Sequence, residues 1–156
     1  MIIKTNNFII KKATEEDIYD VFELSNDKDV RENSINTSKI EFPSHQKWFL
    51  SKISNPKDFF YIIKTHNDDF IGQLRIENKN NENIISISIK KEFRNRKIAS
   101  KIINQCSILS DLPKITAYIK PSNIPSIKAF ERAGYKFDKE VILENDIELL
   151  KFIFLQ

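Results

Sequence analysis

Apolar positions along this chain either alternate with polar ones or recur every three to four residues, and each pattern predicts an element. FIIKKA (residues 8–13) reads as a first strand. Thr14 can cap a following helix; Glu15, Glu16 and Asp17 suit its positive end, and Ile18, Val21, Phe22 and Leu24 keep helical spacing to about Asn26. VRENSINTSKIEF (30–42) has no clear period and reads as an ordered loop. After Pro43, Ser44 is the expected N-cap of a second helix, SHQKWFLSKI, which stops before Asn55-Pro56. DFFYIIKT and FIGQLRIE read as a hairpin turning at His66-Asn67-Asp68-Asp69, and IISISIK follows a turn over residues 78–83. A cationic loop leads into a helix to about Leu109, and KITAYIK is the next strand. Pro125 suits the first turn of helix PSIKAFERA, and Gly134 the left-handed position that ends it. YKFDKEVILE and IELLKFIFL are strands joined at Asn145-Asp146.

The order β-α-α-β-β-β-α-β-α-β-β predicts an α/β (α+β) fold. Its mixed central sheet has about seven strands, flanked by about four helices on both faces. No repeat, linker or low-complexity tract interrupts it, and residues 1–156 read as a single domain that buries roughly two-thirds of its unfolded surface.

Composition narrows the picture little. Forty per cent of residues are hydrophobic, and the net charge of +3 is too small to predict nucleic-acid binding. MIIKTNNFII is followed at once by charges and lacks a cleavage site, and no apolar run approaches the ~20 residues of a membrane span. Cys106 is the only cysteine, which excludes an intramolecular disulfide. These features predict a cytoplasmic protein with no nucleic-acid or membrane partner and no metal, either a monomer or a homodimer.

One local feature changes the reading. In KKEFRNRKIASKII (90–103), Ile98, Ala99, Ile102, Ile103 and Cys106 begin an amphipathic helix, yet Lys90, Lys91, Arg94, Arg96 and Lys97 crowd its start. Unpaired N–H groups already make that end positive, so cations there are unfavourable. Either this is a solvated basic patch, or the strand–loop–helix junction binds an anion such as phosphate, whose charge relieves the repulsion.

FRNRKIASKII resembles the acyl-CoA-binding segment of the GNAT superfamily of N-acetyltransferases, Arg/Gln-x-x-Gly-x-Gly/Ala, with Arg94 first and Ala99 last. Lys97 stands where the family usually has glycine, and Asn95 replaces another frequent glycine. NIPSIKAFERAGYKF resembles a second family segment through Asn123, Ser126, Phe130, Gly134 and Tyr135. The resemblance covers nearly the whole chain and implies an acetyl-CoA-dependent N-acetyltransferase. Backbone groups around Ile87 to Ile89 would hold the pantetheine arm. Amides of Arg94, Asn95, Arg96, Lys97, Ile98, Ala99 and Ser100 would take the pyrophosphate, and Asn123, Ser126 and Phe130 would line the coenzyme from the second segment.

An amine attacking the thioester needs a base for its proton and an acid for the thiolate. Many relatives place a tyrosine at the position of Phe130, which has no proton to give; Ser126, Tyr118 or water would replace it. Tyr135 reads as structural. His45 is a candidate base because imidazole titrates near neutrality, with an interhelix hydrogen bond as the competing role.

The region VRENSINTSKIEFPSHQKWFLSKI resembles, more loosely, acetyltransferases of nonulosonic (pseudaminic/legionaminic) acid pathways, which acetylate the 4-amino group of a nucleotide-linked 6-deoxy amino sugar. Asn33, Ser34, Asn36 and Thr37 offer hydrogen bonds to such a ligand. Arg31 suits a diphosphate, and Trp48 or Phe49 suits a ring, at least one of the two being core. Arg75 faces either the acceptor or solvent. The competing expectations are a protein Nα-acetyltransferase of the ribosomal-protein type and a non-catalytic acyl-CoA-binding module.

Overall fold

The computed structural model describes residues 2–94 and 97–156. Among them, eight strands form one mostly antiparallel sheet, and there are five α-helices. The strands are β1 (Ile2–Lys4), β2 (Ile9–Lys12), β3 (Phe59–Lys64), β4 (Phe70–Lys79), β5 (Glu82–Ile89), β6 (Lys114–Ile119), β7 (Lys136–Ile142) and β8 (Glu148–Leu155). The helices are α1 (Ile18–Ser25), α2 (Lys28–Asn33), α3 (Phe42–Ser54), α4 (Ile98–Ser110) and α5 (Ile124–Arg132). Sheet order is β1-β2-β3-β4-β5-β6-β8-β7. The β5–β6 pair is parallel, in register at Ile84–Thr116, and β8 lies antiparallel between β6 and β7.

The predicted mixed α/β sheet is observed, with one strand and one helix more than the pattern predicted. β1 is a three-residue strand on β2, too short to show alternation. α2 occupies part of the expected loop; its six residues are fewer than two turns, so no periodicity can develop. It forms because the Asp27 carboxylate accepts from the amides of Asp29 and Val30 at its start. α3 begins two residues before the expected Ser44 cap, with Pro43 inside its first turn, where a missing N–H costs nothing. The β4–β5 turn is tight because Asn80 and Asn81 both adopt positive φ (50° and 64°), as a two-residue hairpin requires.

The fold divides into two compact units, Met1–Arg75 with Ile87–Arg94, and Ile76–Ser86 with Asn95–Gln156. In the first, Ile18, Val21 and Leu24 of α1 and Phe49 of α3 pack with Ala13, Phe60, Ile62 and Phe70, and Val30, Phe42, Trp48 and Ile53 close over them. In the second, Ile102, Ile103 and Cys106 of α4 are buried, as are Ile115, Phe130, Tyr135 and Phe152.

Candidate active site

The first unit holds every residue expected to meet the acceptor. His45 is only 2% exposed, its ring packed against Phe22, Trp48 and Phe49, and its Nε2–H donates to the Ile18 carbonyl at 3.0 Å. That bond fixes the Nε2–H tautomer and ties α3 to α1. Burial pulls the imidazole below its ordinary value of 6.5; the Ile18 bond opposes this and the charge of Arg75 adds to it.

In the unfolded chain His45 takes a proton below about pH 6.5, whereas in the folded chain it stays neutral to lower pH. Its contribution to stability is therefore complete above the unfolded pKa and shrinks as pH falls toward the folded one. Thermal unfolding of wild type should lose more stability between pH 7.5 and 5.5 than that of His45→Gln; equal losses would contradict a depressed imidazole.

Arg31 closes the loop after α2. Its Nε–H donates to the Ser25 carbonyl at 2.7 Å, its Nη1 to the carbonyls of Asn36 and Ser38 at 2.9 and 3.1 Å, and its Nη2 to Ser34 Oγ at 3.2 Å. All four acceptors are neutral, so the loop is braced and the charge of Arg31 is left unneutralised by these bonds. Burial lowers the guanidinium pKa, and the positive charge of Arg75 lowers it further. Asn26 adds a double tie to Ile40, at 2.9 and 2.8 Å. Asn33 and Ser34 donate to the Asp29 and Val30 carbonyls within α2, and Asn36 Oδ1 accepts from the Ser38 amide. Thr37 is exposed.

Arg75, on β4, lies with its guanidinium 4.9 Å from the centroid of the Trp48 ring and 5.9 Å from that of Phe60. Its Nη1 donates to Gln73 Oε1 at 3.0 Å, and Gln73 Nε2 donates to Ser88 Oγ at 3.3 Å. Trp48, Arg75, Gln73 and Ser88 thus form one connected line, from α3 across β4 to β5. Phe49 is the core member of the Trp48-Phe49 pair, fully buried.

The same unit carries the end of β5. Ile87 is half-buried and Ile89 buried. Gly72 lies against Ser88 so closely that a Cβ there would run into the Ser88 carbonyl oxygen. Arg94 donates through Nε to the Ile89 carbonyl at 2.8 Å, through Nη1 to Asp29 at 2.7 Å and through Nη2 to Asp27 at 3.0 Å.

Asn95 and Arg96, both expected coenzyme contacts, lie outside the described residues. In the second unit Lys97 adopts the left-handed conformation (φ 56°) at the N-cap of α4, the backbone state for which glycine is favoured. Ile98 is buried and Ala99 and Ser100 are half-buried, with Ser100 Oγ donating to the Lys97 carbonyl at 3.2 Å.

Asn123 caps α5, its Oδ1 accepting from the Ser126 amide at 3.4 Å. Phe130 is buried edge-on against Tyr135, ring centroids 5.0 Å apart, and Tyr135 shares a 2.7 Å hydrogen bond with Ser107. The Tyr118 hydroxyl donates to the Glu82 carboxylate at 2.7 Å, and Lys151 reaches the same carboxylate at 3.3 Å. Burial, then the Glu82 hydrogen bond and charge, push the phenol up to about 12.

The acetyltransferase (GNAT) domain family matches residues 7–136. The chain belongs to this GNAT family. It is an acetyl-CoA-dependent N-acetyltransferase, with acetyl-CoA as co-substrate. The fold is that of a spermidine N-acetyltransferase from Vibrio cholerae, solved with CoA and spermine: TM-score 0.83 at 15% identity, covering 97% of each chain. It is also that of the ribosomal-protein-S5-alanine acetyltransferase from Vibrio fischeri, with a TM-score of 0.82 at 13% identity, covering 99% of this chain and 96% of that one. The catalytic subunit NAA20 of the N-terminal acetyltransferase B complex of Arabidopsis thaliana is 20% identical over 122 residues, covering 72% of this chain and 70% of the relative.

Among the described residues of this GNAT protein, no helix is long and apolar enough to cross a membrane, and no group of three or more His, Cys, Asp or Glu side chains is placed to hold a metal. Asn26, Asp27, Asp29 and Gln73 hydrogen-bond to the candidate residues or to their loop, and sequence reasoning singled out none of them. Asp27 alone gave a signal, as an N-cap residue type followed by Asp29.

Proposed function

We propose that this GNAT enzyme acetylates an anionic amine, the 4-amino group of a UDP-linked 6-deoxy amino sugar, in surface-polysaccharide biosynthesis in the cytoplasm. One feature carries the reading: the four side-chain bonds of Arg31 all run to neutral acceptors, and the positive charge of Arg75 adds repulsion to a guanidinium that burial already disfavours. A diphosphate removes that repulsion, whereas a polyamine increases it. Trp48, with the Arg75 guanidinium 4.9 Å from its ring centroid, is the aromatic side chain proposed to meet a sugar or base ring.

In the reaction the amine nitrogen forms a bond to the thioester carbonyl carbon, the carbon–sulfur bond breaks, and the amine proton passes to solvent. Phe130 carries no proton, and the proton of Tyr118 is held by Glu82, so the thiolate leaves without a phenol acid, either unprotonated or met by Ser126. CoA thiol is acidic enough to permit this. In the first unit, backbone groups at Ile87 and Ile89 are proposed to pair with the pantetheine arm; in the second, the first-turn amides of Ile98, Ala99 and Ser100 are proposed to take pyrophosphate oxygens.

A second reading, protein Nα-acetylation, draws on the likeness to the Arabidopsis subunit. The test is CoA release from acetyl-CoA with UDP-linked 4-amino-6-deoxy sugars in one panel and N-terminal peptides in another. Release with a sugar nucleotide is expected; release with peptides alone would replace the first reading by the second.

A further inference from the structure

The cations before α4 led to the expectation that they serve phosphate, yet the Arg94 side chain is already committed. Three of its N–H groups reach three acceptors: the Ile89 carbonyl at the end of β5, Asp29 within α2 and Asp27 at its N-cap. Two carboxylates neutralise its charge, and a phosphate would have to displace them.

We infer that Arg94 is a positioning residue which, through Asp27 and Asp29, ties α2 and the loop braced by Arg31 to the end of β5. This rests on the proposal that residues 31–36 belong to the acceptor site. α2 has six residues, and a helix that short does not persist without tertiary anchors. Val30 against the apolar cluster is one anchor, and Arg94 is another. The Asp27 Oδ1 atom does two jobs, accepting from the Asp29 and Val30 amides and from Arg94. Burial pushes the Asp27 carboxyl up, but these bonds and the Arg94 charge outweigh it and hold it below its usual value. Because Arg31 lies in α2 and grips the carbonyls of Asn36 and Ser38, fixing the helix fixes the loop. Arg94 thereby acts on the acceptor from a distance.

The test compares Arg94→Gln, Arg94→Lys and the double variant Asp27→Asn, Asp29→Asn; asparagine still caps a helix, so the double variant removes charge and spares the N-cap. Three quantities are measured: amide exchange in residues 28–33, the Kd of CoA by calorimetry, and the KM of the acceptor found in the sugar-nucleotide panel. Arg94→Gln and the double variant should both speed exchange and raise acceptor KM about tenfold, with a smaller change in CoA affinity and Arg94→Lys in between. If Arg94→Gln weakens CoA about tenfold while the double variant leaves exchange and KM unchanged, the side chain is a phosphate ligand and the inference is wrong. Should no sugar nucleotide be turned over, the acceptor reading fails by itself; exchange and CoA affinity still decide the role of Arg94.

Discussion

Gly72→Ala is expected to destabilise the fold by about 3 kcal/mol and to lower its thermal midpoint by roughly 6–12 °C. The cost comes from backbone meeting backbone. Besides the clash with the Ser88 oxygen, the new methyl would lie 3.0 Å from Ile89 Cα and 3.2 Å from the Ser88 carbonyl carbon. Neither can rotate away as a side chain would, so β4 and β5 must part. The amide of Lys90 donates to the Ile71 carbonyl at 2.8 Å, and this bond should be the first to stretch. The displaced stretch of β5 is the one proposed to hold the pantetheine arm, so CoA affinity should fall even at temperatures where the variant is folded. Differential scanning calorimetry and CoA titration measure the two effects; an unshifted midpoint would mean that β4 and β5 yield without cost.

The second large effect is expected at Arg75. Arg75→Glu should lower kcat/KM for a sugar-nucleotide acceptor by about 100-fold or more, because juxtaposed like charges cost several kcal/mol. kcat/KM for acetyl-CoA should change far less. Arg75→Lys keeps the charge but loses the guanidinium contact over the Trp48 ring and the directed bond to Gln73, so an intermediate loss is expected. Steady-state kinetics in both substrates separates these outcomes. A rate that rises in Arg75→Glu would show that the acceptor is a cation and would overturn the anionic reading.

How far the sequence alone led follows from the range over which each signal acts. IISISIK and KITAYIK gave their strands away because alternation over six or more residues is a local signature, as is Gly134 after an amphipathic helix (φ 101° in the fold). α2 was missed because six residues are too few for a period, and one of its tertiary contacts, the ion pair of Asp27 with Arg94, spans 67 residues of chain. The family segments named Arg94 by its position in a motif, and position does not say where a long side chain points. For His45 the sequence offered a base or an interhelix hydrogen bond; the bond to Ile18 is present, while the rings of Phe22, Trp48 and Phe49 around it are products of tertiary packing.

Lys97 carries a consequence for the thermodynamics of coenzyme capture. A glycine in its place would reach the left-handed state without steric cost, but it would also leave the unbound segment with more conformations to surrender. Lysine reverses that trade: some strain is held permanently in the backbone, and less disorder remains to be lost when the phosphates arrive. For a chain with only two glycines, neither of them in the loop leading into this helix, coenzyme binding should therefore carry a smaller entropic penalty than in relatives with a glycine-rich loop.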